Sequence, residues 1–96
     1  MDSAFIDKKE LIQLCKKNDI TMIGVFGSVA RGTATEKSDI DLLVQFSNSK
    51  SLLTHVRVER ELSHLLRKKV DLLTEAAISP YLRDIIKSEL QVLYEA

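Results

Sequence analysis

The chain has 96 residues, with 14 Lys plus Arg against 14 Asp plus Glu, which predicts a single domain spanning 1–96 and no formal net charge. That neutrality argues against nucleic acid as a main partner, because broad binding of it takes many phosphate contacts. A balance of 45% apolar and 29% charged residues excludes a disordered chain, and no apolar run approaches the ~20 residues of a membrane span.

The N-terminal segment Met1-Asp-Ser-Ala-Phe-Ile-Asp7 has no apolar signal core and no basic leader, so a cytoplasmic protein is expected. A helix is expected over 7–18, capped by Asp7 with Glu10 three residues on. Its apolar stripe is Leu11, Ile12, Leu14 and Cys15. Cys15 is the sole cysteine, so an internal disulfide is excluded, and on this stripe it reads as a small core residue.

Residues 21–26, Thr-Met-Ile-Gly-Val-Phe, form a short apolar run with β-branched and aromatic members, the pattern of a buried strand. Gly27-Ser28 follows at once, then a short helical segment closed by Gly32. Residues 33–38 are polar and aperiodic, hence a loop. In 39–46 Ile40, Leu42, Val44 and Phe46 fall on one face of a strand, and Asp39, Asp41, Leu43 and Gln45 on the other.

After a turn at 47–50, residues 52–66 read as an amphipathic helix of about four turns with apolar positions at 52, 53, 56, 62, 65 and 66. Residues 69–74 make a third strand, Val70 and Leu72 on one side and Asp71 on the other. Ser79-Pro80 starts a further helix, with Leu82, Ile85 and Ile86 as its buried stripe. Residues 92–94 form a last short strand. Alternating helices and strands predict an α/β (α+β) fold: about four strands with helices packed mainly on one face. The pattern leaves open whether the sheet is parallel or mixed.

Three features combine into a candidate site: Gly27-Ser28, Asp39-x-Asp41 and Asp71. Each alone has a bland explanation, as a turn, a solvated strand face or an edge charge. Together they weigh more. Alternate strand residues project the same way, ~6.6–6.8 Å apart, and aspartate is disfavoured in strands. Three neighbouring carboxylates repel one another and raise their own pKa values unless a cation intervenes. Mg2+ is the natural choice, since it takes oxygen ligands and shares carboxylates with substrate phosphates. Glycine lets a backbone approach a phosphate, and amides at the bend, with the Ser28 hydroxyl, are donors to it. Gly27 and Gly32 have the glycine spacing of a P-loop, but Thr33 and Ala34 stand where that motif needs Lys and Ser/Thr.

Gly27-Ser28, ten intervening residues, then Asp39-Ile-Asp41 resembles the signature of the DNA polymerase β nucleotidyltransferase superfamily. The run from Gly27 to Val44 is similar to the minimal nucleotidyltransferase (MNT) family, and Val92-Leu-Tyr-Glu95 to that family's last strand. The resemblance implies a polymerase β-like core with a small mixed sheet. It implies that Asp39, Asp41 and Asp71 hold two Mg2+ ions, with Asp71 able to take the acceptor's proton. Gly27 and Ser28 would grip the phosphates of ATP. Arg31 is either a phosphate contact or, by a slight preference, the partner of a carboxylate on its own sheet. MNT proteins are typically antitoxins paired with HEPN-type toxins, so the resemblance further implies adenylylation of a HEPN-type toxin partner in a hetero-oligomer. A binding-only antitoxin and a transferase for a small molecule such as an aminoglycoside are the alternatives.

Other chemistry-bearing residues read as structural. His55 and His64 lie on opposite sides of their helix and cannot share a metal. The cluster Arg67-Lys68-Lys69 suits a helix C-terminus, and Tyr81 and Tyr94 suit packing or surface positions.

Overall fold

The computed structural model describes residues 8–96, so the cap expected at Asp7 lies outside the described residues. Leu11 and Cys15, four apart on one helical face, anchor α1 (Lys8–Lys17), and the lysines of that helix face solvent. The apolar run that follows is β1 (Ile20–Phe26), and it leads directly into a five-residue helix α2 (Gly27–Arg31). Gly32 closes α2 at φ +75°, a left-handed conformation that glycine adopts without steric cost.

Next comes β2 (Ile40–Phe46), then α3 (Leu52–Leu66), which Ser51 caps by accepting the Thr54 amide. Then follow β3 (Val70–Thr74), a 3-10 turn (Glu75–Ala77), α4 (Pro80–Glu89) and β4 (Gln91–Glu95). Proline begins α4, where its missing N–H and fixed φ are harmless.

The strands form one mixed sheet in the order β3-β2-β1-β4. β1 runs antiparallel to both β2 and β4, while β2 and β3 are parallel and joined by α3. Two apolar clusters cover the two faces. Ile23, Val25, Leu42, Val44, Val70 and Leu72 meet Leu11 and Cys15 of α1 and Val58, Leu62 and Leu66 of α3. On the other face Met22, Phe26 and Leu43 meet Ile78 and Ile86. The two helices α1 and α3 thus share one face, as expected, and α4 rests on the second. Burying one leucine such as Leu42 or Leu62, both at 0% exposure, stabilises the fold by about 1.5–3 kcal/mol.

Two expected stripes need correction. In α3, Leu62 and Leu66 are buried as expected, but Leu52, Leu53 and Val56 are exposed and Val58 is buried in their place. At about 100° per residue, Leu53 and Val56 fall on the side of the helix away from that buried line. In α4 only Ile86 is buried, because Ile85 lies about 100° further round and Leu82 also remains open to solvent. Among the described residues, no helix is long and apolar enough to cross a membrane.

Candidate active site

The site is built where β1 ends and where β2 and β3 begin. Pairing of Phe26 with Asp41 brings the Gly27 bend against Asp41, and pairing of Asp41 with Asp71 sets those carboxylates side by side on adjacent strands. Strand parity puts both on the α4 side of the sheet, continuing the lines of Leu43 and Leu73. Asp39 stands one position before β2. Its neighbour Ile40 donates its N–H to the Lys69 carbonyl at 2.9 Å, which extends the parallel pairing toward Asp39. The structure therefore brings Asp39, Asp41, Asp71 and Gly27 together, and Ser28 follows Gly27 in the bend.

Gly27 has φ +74°, and a Cβ there would lie 2.4 Å from Asp41 Oδ2. Only glycine permits this bend and this approach together. Ser28 is half-buried, and its carbonyl accepts the Thr33 N–H at 2.9 Å, fastening the loop that leads to Asp39.

Burial pushes the Asp41 carboxyl above its ordinary pKa, and the negative charges of Asp71 and Asp39 push it further. Arg31 opposes the shift and Glu89 adds to it. The ends of β2 and β3 thus concentrate negative charge that one nearby guanidinium does not cancel. Lys69 adds an exposed ammonium 3.9 Å from Asp39 Oδ2, and Lys68 donates to the Thr35 carbonyl at 2.9 Å. These lysines reach back over the loop before Asp39, whereas the α3 C-terminus is closed by Arg67 itself at φ 54°.

Three oxygen-rich carboxylates in mutual repulsion fit a hard divalent cation. No three His, Cys, Asp or Glu side chains among the described residues gather into a cage by themselves. A Mg2+ ion here would need waters and substrate phosphates to complete its shell.

Arg31 does form an ion pair, but with α4 rather than with the sheet. Its Nη1 lies 3.3 Å from both oxygens of Glu89, and Glu89 Oε1 also accepts the Gly27 N–H at 3.2 Å. Two residues on, Gln91 donates from Nε2 to the Ala30 carbonyl at 3.1 Å. Sequence reasoning missed Glu89 and Gln91. One signal was present: a carboxylate in the last turn of a helix opposes the helix dipole.

The remaining candidates are structural. His55 donates from Nε2 to the Leu72 carbonyl at 2.8 Å, and His64 is exposed. An open groove of about 640 Å3, lined by Thr21, Gln45, Lys50, His55 and Glu75 among others, lies at the far ends of β2 and β3 from the aspartates. Asp39 and Asp71 are exposed and Asp41 is half-buried.

Residues 8–93 match the model of the nucleotidyltransferase domain. The chain belongs to the nucleotidyltransferase family. It is 44% identical over 82 residues to a Methanocaldococcus jannaschii relative named "Putative protein adenylyltransferase MJ0435", covering 85% of this chain and 88% of that one. It is 42% identical to protein adenylyltransferase MntA of Thermococcus cleftensis over 74% of this chain and 69% of that one. A solved complex of a tri-AMPylated Shewanella oneidensis HEPN toxin with its MNT antitoxin contains a chain of the same fold. There the TM-score is 0.71 at 20% identity, with 100% of this chain and 74% of that chain covered. The mixed sheet of this nucleotidyltransferase, and a 39% identical likeness (TM-score 0.76, over 88% of this chain and 86% of that one) to a solved "putative minimal nucleotidyltransferase", accord with the expectation from Gly27-Ser28 and Asp39-x-Asp41.

Proposed function

We propose that this nucleotidyltransferase uses Mg2+ to transfer AMP from ATP to a hydroxyl of a HEPN-type toxin protein. As a single domain it would act as the antitoxin of a cytoplasmic pair, in a hetero-oligomer with its target. The observation that supports this most is the in-register pairing of Asp41 with Asp71, with Asp39 beside them and the Gly27 bend opposite. The adenylyltransferase relatives support the reaction class, and the toxin-bound fold neighbour supports the acceptor class.

Asp39, Asp41 and Asp71 would hold the metal ions. Two Mg2+ ions, when bound, supply charge stabilisation for the entering and leaving oxygens of an in-line displacement. Gly27 and Ser28 would bind the phosphate tail through the bend, with Arg31 contributing positive charge. The Asp71 carboxylate would accept the proton of the acceptor hydroxyl. That oxygen bonds to the α-phosphorus, the bond to the β-phosphate oxygen breaks, and pyrophosphate leaves. The nucleotidyltransferase encloses little of this site itself, so the acceptor's own surface would exclude water.

Incubation with Mg2+, ATP and the HEPN-type protein encoded beside it, read by intact mass, tests the proposal. The expected result is a gain of whole AMP units on the partner, lost in Asp41→Asn and Asp71→Asn variants that remain folded. An unmodified partner with the wild-type chain, or full transfer by either variant, overturns it.

A further inference from the structure

The end of α4 and the start of β4 meet the Gly27–Arg31 segment at three places. Glu89 accepts the Gly27 N–H at the front of α2. Gln91 donates to the Ala30 carbonyl near its back. Between them, Leu90 packs so close to β1 that a Cβ on Gly24 would lie 2.8 Å from its Cδ1. Three consecutive residues therefore fix both ends of α2 and the strand before it. Such bracing is needed, since α2 has only five residues, buries none of them fully, and has no side-chain cap. A lone helix of that length has no stability of its own.

Glu89 is the central member. Its side chain is only 21% exposed, against 55% for Arg31. Both contacts to Arg31 run through Nη1, which leaves Nε and Nη2 outside the pair. A guanidinium held this way at one nitrogen keeps the rest of its fork for a second anion. The placement of a carboxylate here has a cost, because it opposes the α4 dipole and adds negative charge near Asp41. A merely structural brace could be neutral.

We propose that Glu89 is a positioning residue for nucleotide binding: it orients Arg31 and, by accepting the Gly27 N–H, holds the bend in place so that the remaining guanidinium nitrogens of Arg31 face the triphosphate. This rests on the nucleotidyltransferase reading of the site. Glu89 does not touch the nucleotide and acts through Arg31 and the Gly27 amide. Gln91 is an auxiliary tie that steadies the same segment from its other end.

The test is calorimetric binding of Mg2+-ATP to the full chain, with steady-state transfer kinetics and unfolding temperatures, for wild type, Glu89→Gln and Glu89→Ala. Glutamine retains an acceptor for Gly27 but loses the ion pair. Its expected effect is a loss of affinity of about tenfold, the scale of one hydrogen bond to a charged group. KM for ATP should rise in step, kcat should stay nearly level, and Glu89→Ala should be weaker still. In an Arg31→Ala background the Glu89→Gln loss should shrink, because the two residues act as a unit. Unchanged or tighter binding by folded Glu89→Gln overturns this proposal alone, since Glu89 would then be a bystander or a competitor of phosphate. Undiminished loss in the Arg31→Ala background overturns the route through Arg31. Absence of Mg2+-ATP binding by the wild-type chain overturns the nucleotidyltransferase reading and this inference with it.

Discussion

Replacing Gly27 with alanine separates backbone strain from site geometry. At φ +74° an alanine costs roughly 1–2 kcal/mol. The new Cβ also meets Asp41 Oδ2 at 2.4 Å, whereas an ordinary contact begins at 3.4 Å, so that oxygen must retreat by 1.0 Å. Gly32 is the matched control. Its φ is +75°, yet a Cβ there meets nothing within 4 Å. Both variants should unfold roughly 4–16 °C below wild type, at about 4–8 °C per kcal/mol for a domain of this size. Only Gly27→Ala should lose activity heavily, by about a hundredfold, the cost of a misplacement of about 1 Å in a reacting constellation. Thermal unfolding and transfer of α-labelled ATP onto the partner protein, run on both variants, measure the two effects. Equal transfer rates for Gly27→Ala and Gly32→Ala would refute the claim that contact with Asp41 makes glycine necessary at 27.

Two further outcomes follow from the titrating groups. Because burial, then Asp71 and Asp39, raise the Asp41 pKa, the native state binds a proton there more readily than the unfolded chain does, and stability falls as pH rises through the interval between the two values. Without metal, Asp41→Asn should therefore be more stable than wild type at pH 7, and the difference should fade on acidification below the ordinary carboxylate range. Urea titrations across pH measure this, and a less stable Asn variant at pH 7 contradicts it. Burial pushes the Cys15 thiol up to about 11, so alkylation at pH 8 should be slow until denaturant is added. Prompt labelling of the native chain would show that Cys15 is not enclosed by the α1 core.

The parity of Asp41, opposite to Ile40 and Leu42, was readable because strand alternation is local, whereas Asp39 falls one residue before the strand in which it was expected. The Gly27 bend was readable for the same reason, since strand, glycine and short helix are contiguous. That Asp71 lies beside Asp41 is a matter of register across the α3 crossover, which residue spacing does not encode. Glu89 was hidden by distance, lying 62 residues from the amide it accepts. The early turns of α3 were misread for a different reason. Leu52, Leu53 and Val56 have the composition of a buried stripe, and only the rotation of the helix against the sheet leaves them in solvent. Arg31 was expected to pair with a sheet carboxylate, but the placement of α4 on the second face supplied Glu89 instead.

The ladder between β2 and β3 makes spacing in the short connection after α3 a determinant of chemistry. Val70 and Leu72, each 2% exposed, point into the side covered by α1 and α3, and Asp71 points to the α4 side. One residue added between Arg67 and Val70, with the ladder otherwise kept, would turn the carboxylate inward against Val58 and Leu62 and push both aliphatic side chains into water. Natural length variation in this enzyme should therefore accumulate at 47–50 or near 76–79, and the three-residue link 67–69 should tolerate almost none.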